Sequence, residues 1–212
     1  MKITVLTLFP EMVENALNFS IPSRAQKSGQ LELKIVNIRD FAIDNRGTVD
    51  DSPYGGGPGM VLRVDVAHKA LESADPTHKA LRIMLSPDGE IFNQETAKNF
   101  SQKNEMVILC GRYEGFDARI EKYIDLKLSI GKFVLSGGEI AALAVIDTVT
   151  RLIPGVLGND KSIIHETFEQ DLSDYPNFTR PEEYLGNKVP EVLLTGHHGE
   201  IEKWRNVNKK SV

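Results

Sequence analysis

The sequence predicts an α/β protein, a mainly parallel sheet with helices on both faces. Short runs rich in Val, Ile and Leu recur at strand length along the chain, as in MVILC at 106–110 and LKLSI at 126–130. Longer stretches with helical spacing of apolar residues separate them. Two of the runs lead into glycine-bearing loops, CGRYEG at 110–115 and SIGKFVLSGGE at 129–139. Strands alternating with helices form a parallel sheet covered on both sides.

Strands are expected over 2–8, 31–38, 81–85, 106–110 and 126–130, and helices over 10–18, 64–74, 93–102, 116–124 and 139–152. Pro10 suits the first turn of the opening helix, where its missing N–H costs nothing. The stretch from Glu139 to Leu152 is apolar almost all round (AALAVI), the pattern of a helix buried in the core or against a second subunit. After Pro154 the pattern fails. Residues 154–188 are rich in Gly, Asp, Asn and Pro and read as a long loop, a length that in compact chains is usually functional or a linker. A last helix is expected over roughly 198–207, with the single tryptophan, Trp204.

Composition narrows the function classes. The 212 residues are 41% hydrophobic and 26% charged, enough to bury a substantial core, and no apolar run is long enough to span a membrane. The opening KITVLTLF run lacks the cleavage pattern of a signal peptide. One cysteine, Cys110, excludes an intrachain disulfide framework and fits a reducing cytoplasm; at a strand end it reads as a small buried apolar residue. A net charge of −5 argues against coating nucleic acid by bulk electrostatics but leaves room for a local basic patch.

Two glycine loops at the carboxyl ends of neighbouring strands can build one pocket whose recognition is mostly main chain. Neither carries a phosphate motif: G-x-x-x-x-G-K-[ST] is absent, and no G-x-G-x-x-G opens a helix. Without a phosphate cradle, such a pocket suits a nucleoside-like ligand whose base edge pairs with backbone groups; tight turns within the sheet are the plainer alternative. A third cluster, DDSPYGGGPGM at 50–60, is stiffened by two prolines and flanked by Arg46 and Arg63. It reads as a shaped loop that lets a bulky partner such as a flipped base approach closely.

The motifs PYGGGPGM, LSPDG (85–89), LCGRYEG, SIGKFVLSGGE, RLIPGVLG (151–158), YPNFTRP (175–181) and VPEVLLTGHH (189–198) together resemble the bacterial tRNA (guanine-N1)-methyltransferases of the knotted SPOUT superfamily. The likeness runs from Leu6 to about Arg205. It implies S-adenosylmethionine (AdoMet) as methyl donor and the tRNA guanosine 3′ of the anticodon as acceptor. It also implies a cytoplasmic homodimer with its site at the subunit interface and a deep trefoil knot in the C-terminal part of the sheet; no residue is singled out as a metal ligand, and the sequence does not fix metal dependence. The domains would be 1–160 for the knotted AdoMet-binding part, 161–188 for an interdomain linker, and 189–212 for the start of a truncated helical tRNA-binding part.

By the same resemblance, AdoMet would sit among Leu85, Ser86, Pro87, Gly111, Tyr113, Glu114, Ile130, Gly131, Lys132, Phe133, Val134 and Leu135, with Gly137 and Gly138 letting the last turn close over it. Glu114 is the candidate carboxylate for the sulfonium. Asp50, Gly55, Gly59 and Arg24 are the substrate-binding candidates, and Arg24, Lys27, Arg39, Arg46, Lys209 and Lys210 the basic residues expected near RNA. Methylating guanine N1 needs a base to remove its proton and a donor to hold charge on O6. The resemblance puts Arg151 at O6; an i,i+4 pair with Asp147 is its structural alternative.

Three departures stand out. Where relatives carry an aspartate base in a D-[ST]-F context, this chain has His165-Glu166-Thr167-Phe168, placing Glu166 in the base position with a carboxylate moved by about 1.5 Å. Asp174 is the fallback base. Lys132 stands where relatives usually have aspartate in the cofactor loop. The chain also ends at Val212, soon after Trp204-Arg205, whereas relatives continue into a helical tRNA-gripping part. An excised piece, a natural truncation or part of a fusion would each bind tRNA more weakly, since phosphate contacts supply most of the affinity. A ribose 2′-O-methyltransferase of the same superfamily and a weakly catalytic AdoMet- and RNA-binding module are the alternatives.

Overall fold

A computed structural model describes residues 1–157 and 175–209. The chain divides into two compact units, Met1–Gly158 and Asn159–Val212.

The first unit is built on five parallel strands: β1 (Lys2–Thr7), β2 (Glu32–Asn37), β5 (Leu81–Ile91), β6 (Glu105–Cys110) and β7 (Leu126–Ser129), in the order β2-β1-β6-β5-β7. Two further short strands, β3 (Asp50–Asp51) and β4 (Val61–Leu62), pair antiparallel beside this sheet. Side chains alternate across β6. Val107 and Leu109 join Leu6, Ile38, Leu62 and Ile120 in a core under α3 (Val64–Ala74). Val66, Ala67, Ala70 and Leu71 line the buried face of α3, one helical stripe, and each leucine so buried stabilises the fold by about 1.5–3 kcal/mol.

The opposite face is covered by α1 (Pro10–Leu17), α2 (Ser20–Lys27), α4 (Gln94–Ser101) and α5 (Glu139–Leu152), with α5 packed against the other three. Pro10 opens α1 at its first position, and the Asn93 side chain caps α4 by accepting from the Thr96 N–H at 2.8 Å. Ala141, Ala142, Val145, Ile146 and Val149 are buried, but Ile140 is 47% exposed, so α5 is buried along one broad face rather than all round. The parallel sheet with helices on both faces is therefore present.

Several expectations need correction. Residues 116–124 do not form an α-helix: a 3-10 helix spans Ala118–Tyr123, capped by Asp117 accepting from the Arg119 N–H. The Asp117 N–H is drawn to the Leu62 carbonyl, which keeps the chain extended and leaves too few residues before β7 for α-helical turns. Helix α2 was not anticipated, because Ser20, Pro22 and Ser23 break the apolar pattern, and neither was the 3-10 turn Ile38–Phe41. The strand expected at 81–85 extends to Ile91, but its pairing with β7 jumps from Leu85 to Glu90, so Ser86–Gly89 bulge out of the ladder. Among the described residues no helix is long and apolar enough to cross a membrane.

Within the second unit, the expected loop region contains a small hairpin, β8 (Glu183–Tyr184) with β9 (Asn187–Lys188), then a 3-10 turn at Glu191–Leu193. Helix α6 spans His198–Val207, as the sequence suggested. Trp204 meets Phe178 edge-on at 6.1 Å, and the Arg205 guanidinium lies 4.8 Å over the Tyr175 ring.

Candidate functional site

The carboxyl ends of β5, β6 and β7 meet at a cavity of about 460 Å³, within the usual range for a small-molecule site and in the usual place for one on a parallel sheet. Three walls enclose it: the Ser86–Asp88 bulge, the Gly111–Gly115 turn, and the Ile130–Gly138 loop. At the foot of the bulge Gly89 approaches β7 closely; a Cβ there would fall 2.5 Å from the Leu128 nitrogen.

The other two walls are joined to each other. The Gly138 N–H donates to the Gly111 carbonyl at 2.9 Å, and Arg112 and Gly137 form a β-bridge. A Cβ on Gly138 would fall 2.8 Å from the Cys110 Cα and 3.0 Å from the Gly111 nitrogen. A Cβ on Gly137 would fall 2.2 Å from Arg112 Nε and 2.5 Å from Glu139 Oε2. These glycines let the two loops close on each other. Tyr113 holds a left-handed backbone with φ 58 and is half-exposed at the cavity, a conformation that costs about 1–3 kcal/mol and is typical of functional turns.

Beneath the joined walls lies a buried polar group. Glu139, fully buried at the start of α5, accepts from the Thr7 hydroxyl at 2.7 Å, and its other oxygen is 3.0 Å from Arg112 Nε. Arg112 also donates to the Ser136 carbonyl at 3.2 Å and stacks 4.3 Å over the Phe9 ring. The neighbouring Cys110 thiol is pushed well up by burial and further by the Glu139 carboxylate, which makes it a core residue rather than a nucleophile. At the rim, Lys127 bridges Asp88 at 2.6 Å and Glu121 at 3.0 Å. Lys127, and then the Ser86 hydroxyl, hold the Asp88 carboxyl below its ordinary range.

The expected cofactor residues Leu85, Ser86, Pro87, Gly111, Tyr113, Glu114, Ile130, Gly131, Phe133, Val134, Leu135, Gly137 and Gly138 all line this one cavity; Lys132 does not and is exposed. Asp88, Arg112, Phe116 and Lys127 line it too and were missed, although Asp88 and Arg112 sat inside the quoted motifs. The glycine cluster at 55–59 is the tip of the β3–β4 hairpin. The Glu114 N–H donates to the Met60 carbonyl at 3.0 Å and the Leu62 N–H to the Gly115 carbonyl at 2.9 Å, so the hairpin docks on the cavity's second wall. Gly59 is tight because Glu114 fills its side, whereas nothing lies within 4 Å of a Cβ at Gly55. Asp50 pairs across the hairpin with Leu62.

Arg24 is exposed on α2, and Arg151 is half-buried in the last turn of α5; neither lines the cavity. Glu166, His165, Asp174 and Lys210 lie outside the described residues. Among the described residues no group of three His, Cys, Asp or Glu side chains is placed to hold a metal ion.

Comparison with known proteins decides the family. The family model of tRNA (guanine-1)-methyltransferase TrmD matches residues 1–211. The chain belongs to this family. It is 48% identical over 207 residues to a tRNA (guanine-N(1)-)-methyltransferase of Clostridium botulinum (strain Eklund 17B / Type B), covering 98% of this chain and 87% of that one. It is 50% identical over 206 residues to the protein of that name from Carboxydothermus hydrogenoformans, covering 97% and 81%. A Clostridium beijerinckii protein of the same name is 47% identical over 212 residues, covering 100% and 88%.

Proposed function

We propose that this chain is a tRNA (guanine-N1)-methyltransferase that takes its methyl group from AdoMet and acts on the guanosine 3′ of the anticodon. The single observation that carries the reading is the joined-loop cavity at the ends of β5, β6 and β7, in a chain whose family match spans residues 1–211. Its lining fits such a donor. Backbone groups of three loops can pair with an adenine edge, Leu85 and Leu135 offer apolar faces, and Glu114 gives a carboxylate for the sulfonium. A cytoplasmic homodimer and a knotted C-terminal sheet belong to the same reading, as does the assignment of 1–160 to donor binding, 161–188 to a linker and 189–212 to tRNA.

AdoMet would supply an electrophilic methyl group; the protein's part is to free the N1 lone pair and hold the resulting charge. Glu166 is assigned as the base that accepts the N1 proton, with Asp174 as substitute. Arg151 is assigned to O6, where negative charge grows as that proton leaves, because a guanidinium fixed at that oxygen stabilises the transition state more than the ground state. The Gly55–Gly59 hairpin tip, docked on the wall that carries Glu114, is assigned to guiding the base toward the cavity, with Asp50 beside it. Arg24 is assigned to the RNA backbone.

The test is turnover of intact tRNA with isotopically labelled AdoMet, followed by digestion to nucleosides. Label in 1-methylguanosine is expected. Label in a ribose-methylated nucleoside would replace the base reading with the ribose one, and AdoMet binding without any transfer would leave only a binding module.

A further inference from the structure

We propose that Glu139 is a positioning residue for the methyl-donor pocket, acting through Arg112 to set the distance between two of its walls. The inference rests on the reading of that cavity as the AdoMet site. Glu139 does not line the cavity; Arg112, Ser136, Gly137 and Gly138 do.

Three elements that are far apart in sequence converge on this carboxylate: the end of β1 through Thr7, the exit of β6 through Arg112, and the first turn of α5. The Thr7 hydroxyl accepts from the Phe9 N–H at 2.9 Å and donates to Glu139 Oε1 at 2.7 Å, so its one proton is committed to the carboxylate. The second oxygen is 3.0 Å from Arg112 Nε, and both of those atoms are shut off from solvent without an aligned hydrogen bond between them. The contact is thus a charge attraction across the turn at Gly137, whose missing side chain leaves the space the pair occupies. From there the Arg112 guanidinium reaches the Ser136 carbonyl, tying the 111–115 wall to the 130–138 wall.

A buried ion pair is a poor source of stability, because desolvation of both charges offsets most of their attraction. Its effect here is on geometry: it fixes where Arg112, and with it both walls, stand. Glu139→Gln keeps the shape and the Thr7 hydrogen bond but removes the attraction. Calorimetric titration with AdoMet should show binding weaker by about tenfold or more, towards the roughly 100-fold that a 1 Å misplacement can cause. KM for AdoMet should rise while KM for tRNA holds.

The discriminating measurement is a double-mutant cycle with Arg112→Met. If Glu139 acts only through Arg112, then Glu139→Gln added to Arg112→Met causes no further loss of AdoMet affinity, and the neutral pair melts no lower than Arg112→Met alone. If Glu139→Gln fails to fold, Glu139→Asp serves instead: it retains the charge but withdraws the carboxylate by about 1.5 Å, and the same loss of affinity is expected. Unchanged affinity in the folded Glu139 variant, or losses that simply add in the cycle, overturn the inference while leaving the cofactor reading intact. A wild-type chain that binds no AdoMet overturns both.

Discussion

Replacing Gly138 with alanine tests the joined-loop pocket at its tightest point. Gly138 has φ −75, which any residue adopts, so backbone strain plays no part and the effect is purely steric. The new Cβ would stand 2.8 Å from the Cys110 Cα, against about 3.5–4.0 Å for carbons in ordinary contact. The start of α5 must therefore retreat by about 0.7–1.2 Å. That movement stretches the 2.9 Å bond from the Gly138 N–H to the Gly111 carbonyl beyond hydrogen-bonding range. Overpacking of this kind destabilises by about 1–3 kcal/mol, and each 1 kcal/mol lowers the melting temperature of a chain this size by about 2–4 °C. The same displacement moves one pocket wall by about 1 Å, so turnover should fall by up to about 100-fold. Circular-dichroism melting measures the first effect and single-turnover transfer to tRNA the second, with calorimetric AdoMet titration reporting the pocket directly. Gly55→Ala is the control: its Cβ meets nothing within 4 Å, so only its positive φ should register, at about 1–2 kcal/mol, with AdoMet affinity unchanged. A Gly138→Ala protein that melts and binds AdoMet like the wild type would refute the reasoning.

If Glu166 removes the N1 proton, Glu166→Gln should keep AdoMet affinity and lose on the order of 100-fold in single-turnover rate; near-normal transfer to tRNA would pass the role to Asp174. Glu166→Asp should match or exceed the parent rate if the family geometry holds, and fall if the site has readjusted around glutamate. Acid stability should depend on Asp75. Burial opposes its charge, but the Lys79 N–H, the Arg82 side chain and the Ala80 N–H outweigh burial and hold its carboxyl below the ordinary range. A depressed folded-state value contributes stability above the unfolded value of about 3.9, lost as pH falls through the folded one. Urea midpoints should therefore drop less steeply below about pH 4 in Asp75→Asn than in the parent, and equal slopes would rule the contribution out. Sedimentation should give a dimer near twice 23.6 kDa, with the exposed Ile140 side of α5 at the contact; an active monomer at micromolar concentration would exclude an interface-borne site.

What the sequence made legible follows the range of the forces involved. Strands such as β1 and β6, and helices such as α3 and α5, are marked by local patterning, and α1 also by Pro10, whose effect is confined to one turn. The 3-10 helix at Ala118–Tyr123 was misread because its shape is imposed from outside by the Asp117–Leu62 hydrogen bond. The β3–β4 hairpin was missed for the same reason: its two-residue strands hold through Gly115 and Phe116, far away in sequence. Most of the cavity lining was legible because it lies in contiguous motifs, but the Thr7–Glu139–Arg112 group was not, since no single stretch of sequence contains it.

The glycines carry the most general lesson of this fold. Read singly, a glycine after a strand suggests room left for a ligand. Here Gly89, Gly137 and Gly138 have almost no free space beside them, since backbone or a buried ion pair stands within 3 Å of where a side chain would begin. Gly55 and Gly56, at the hairpin tip, face open space instead. The two groups therefore do different physical work. The crowded glycines let segments approach closely beside the turns Ser86–Asp88 and Gly111–Gly115, which line the cavity. The open glycines shape a projecting tip through positive φ alone. It follows that substitutions in the first group should damage folding and donor binding together, whereas those in the second should spare donor binding and act on whatever the tip touches. That separation is measurable position by position, and a crowded glycine whose alanine variant impaired only tRNA use would break the distinction.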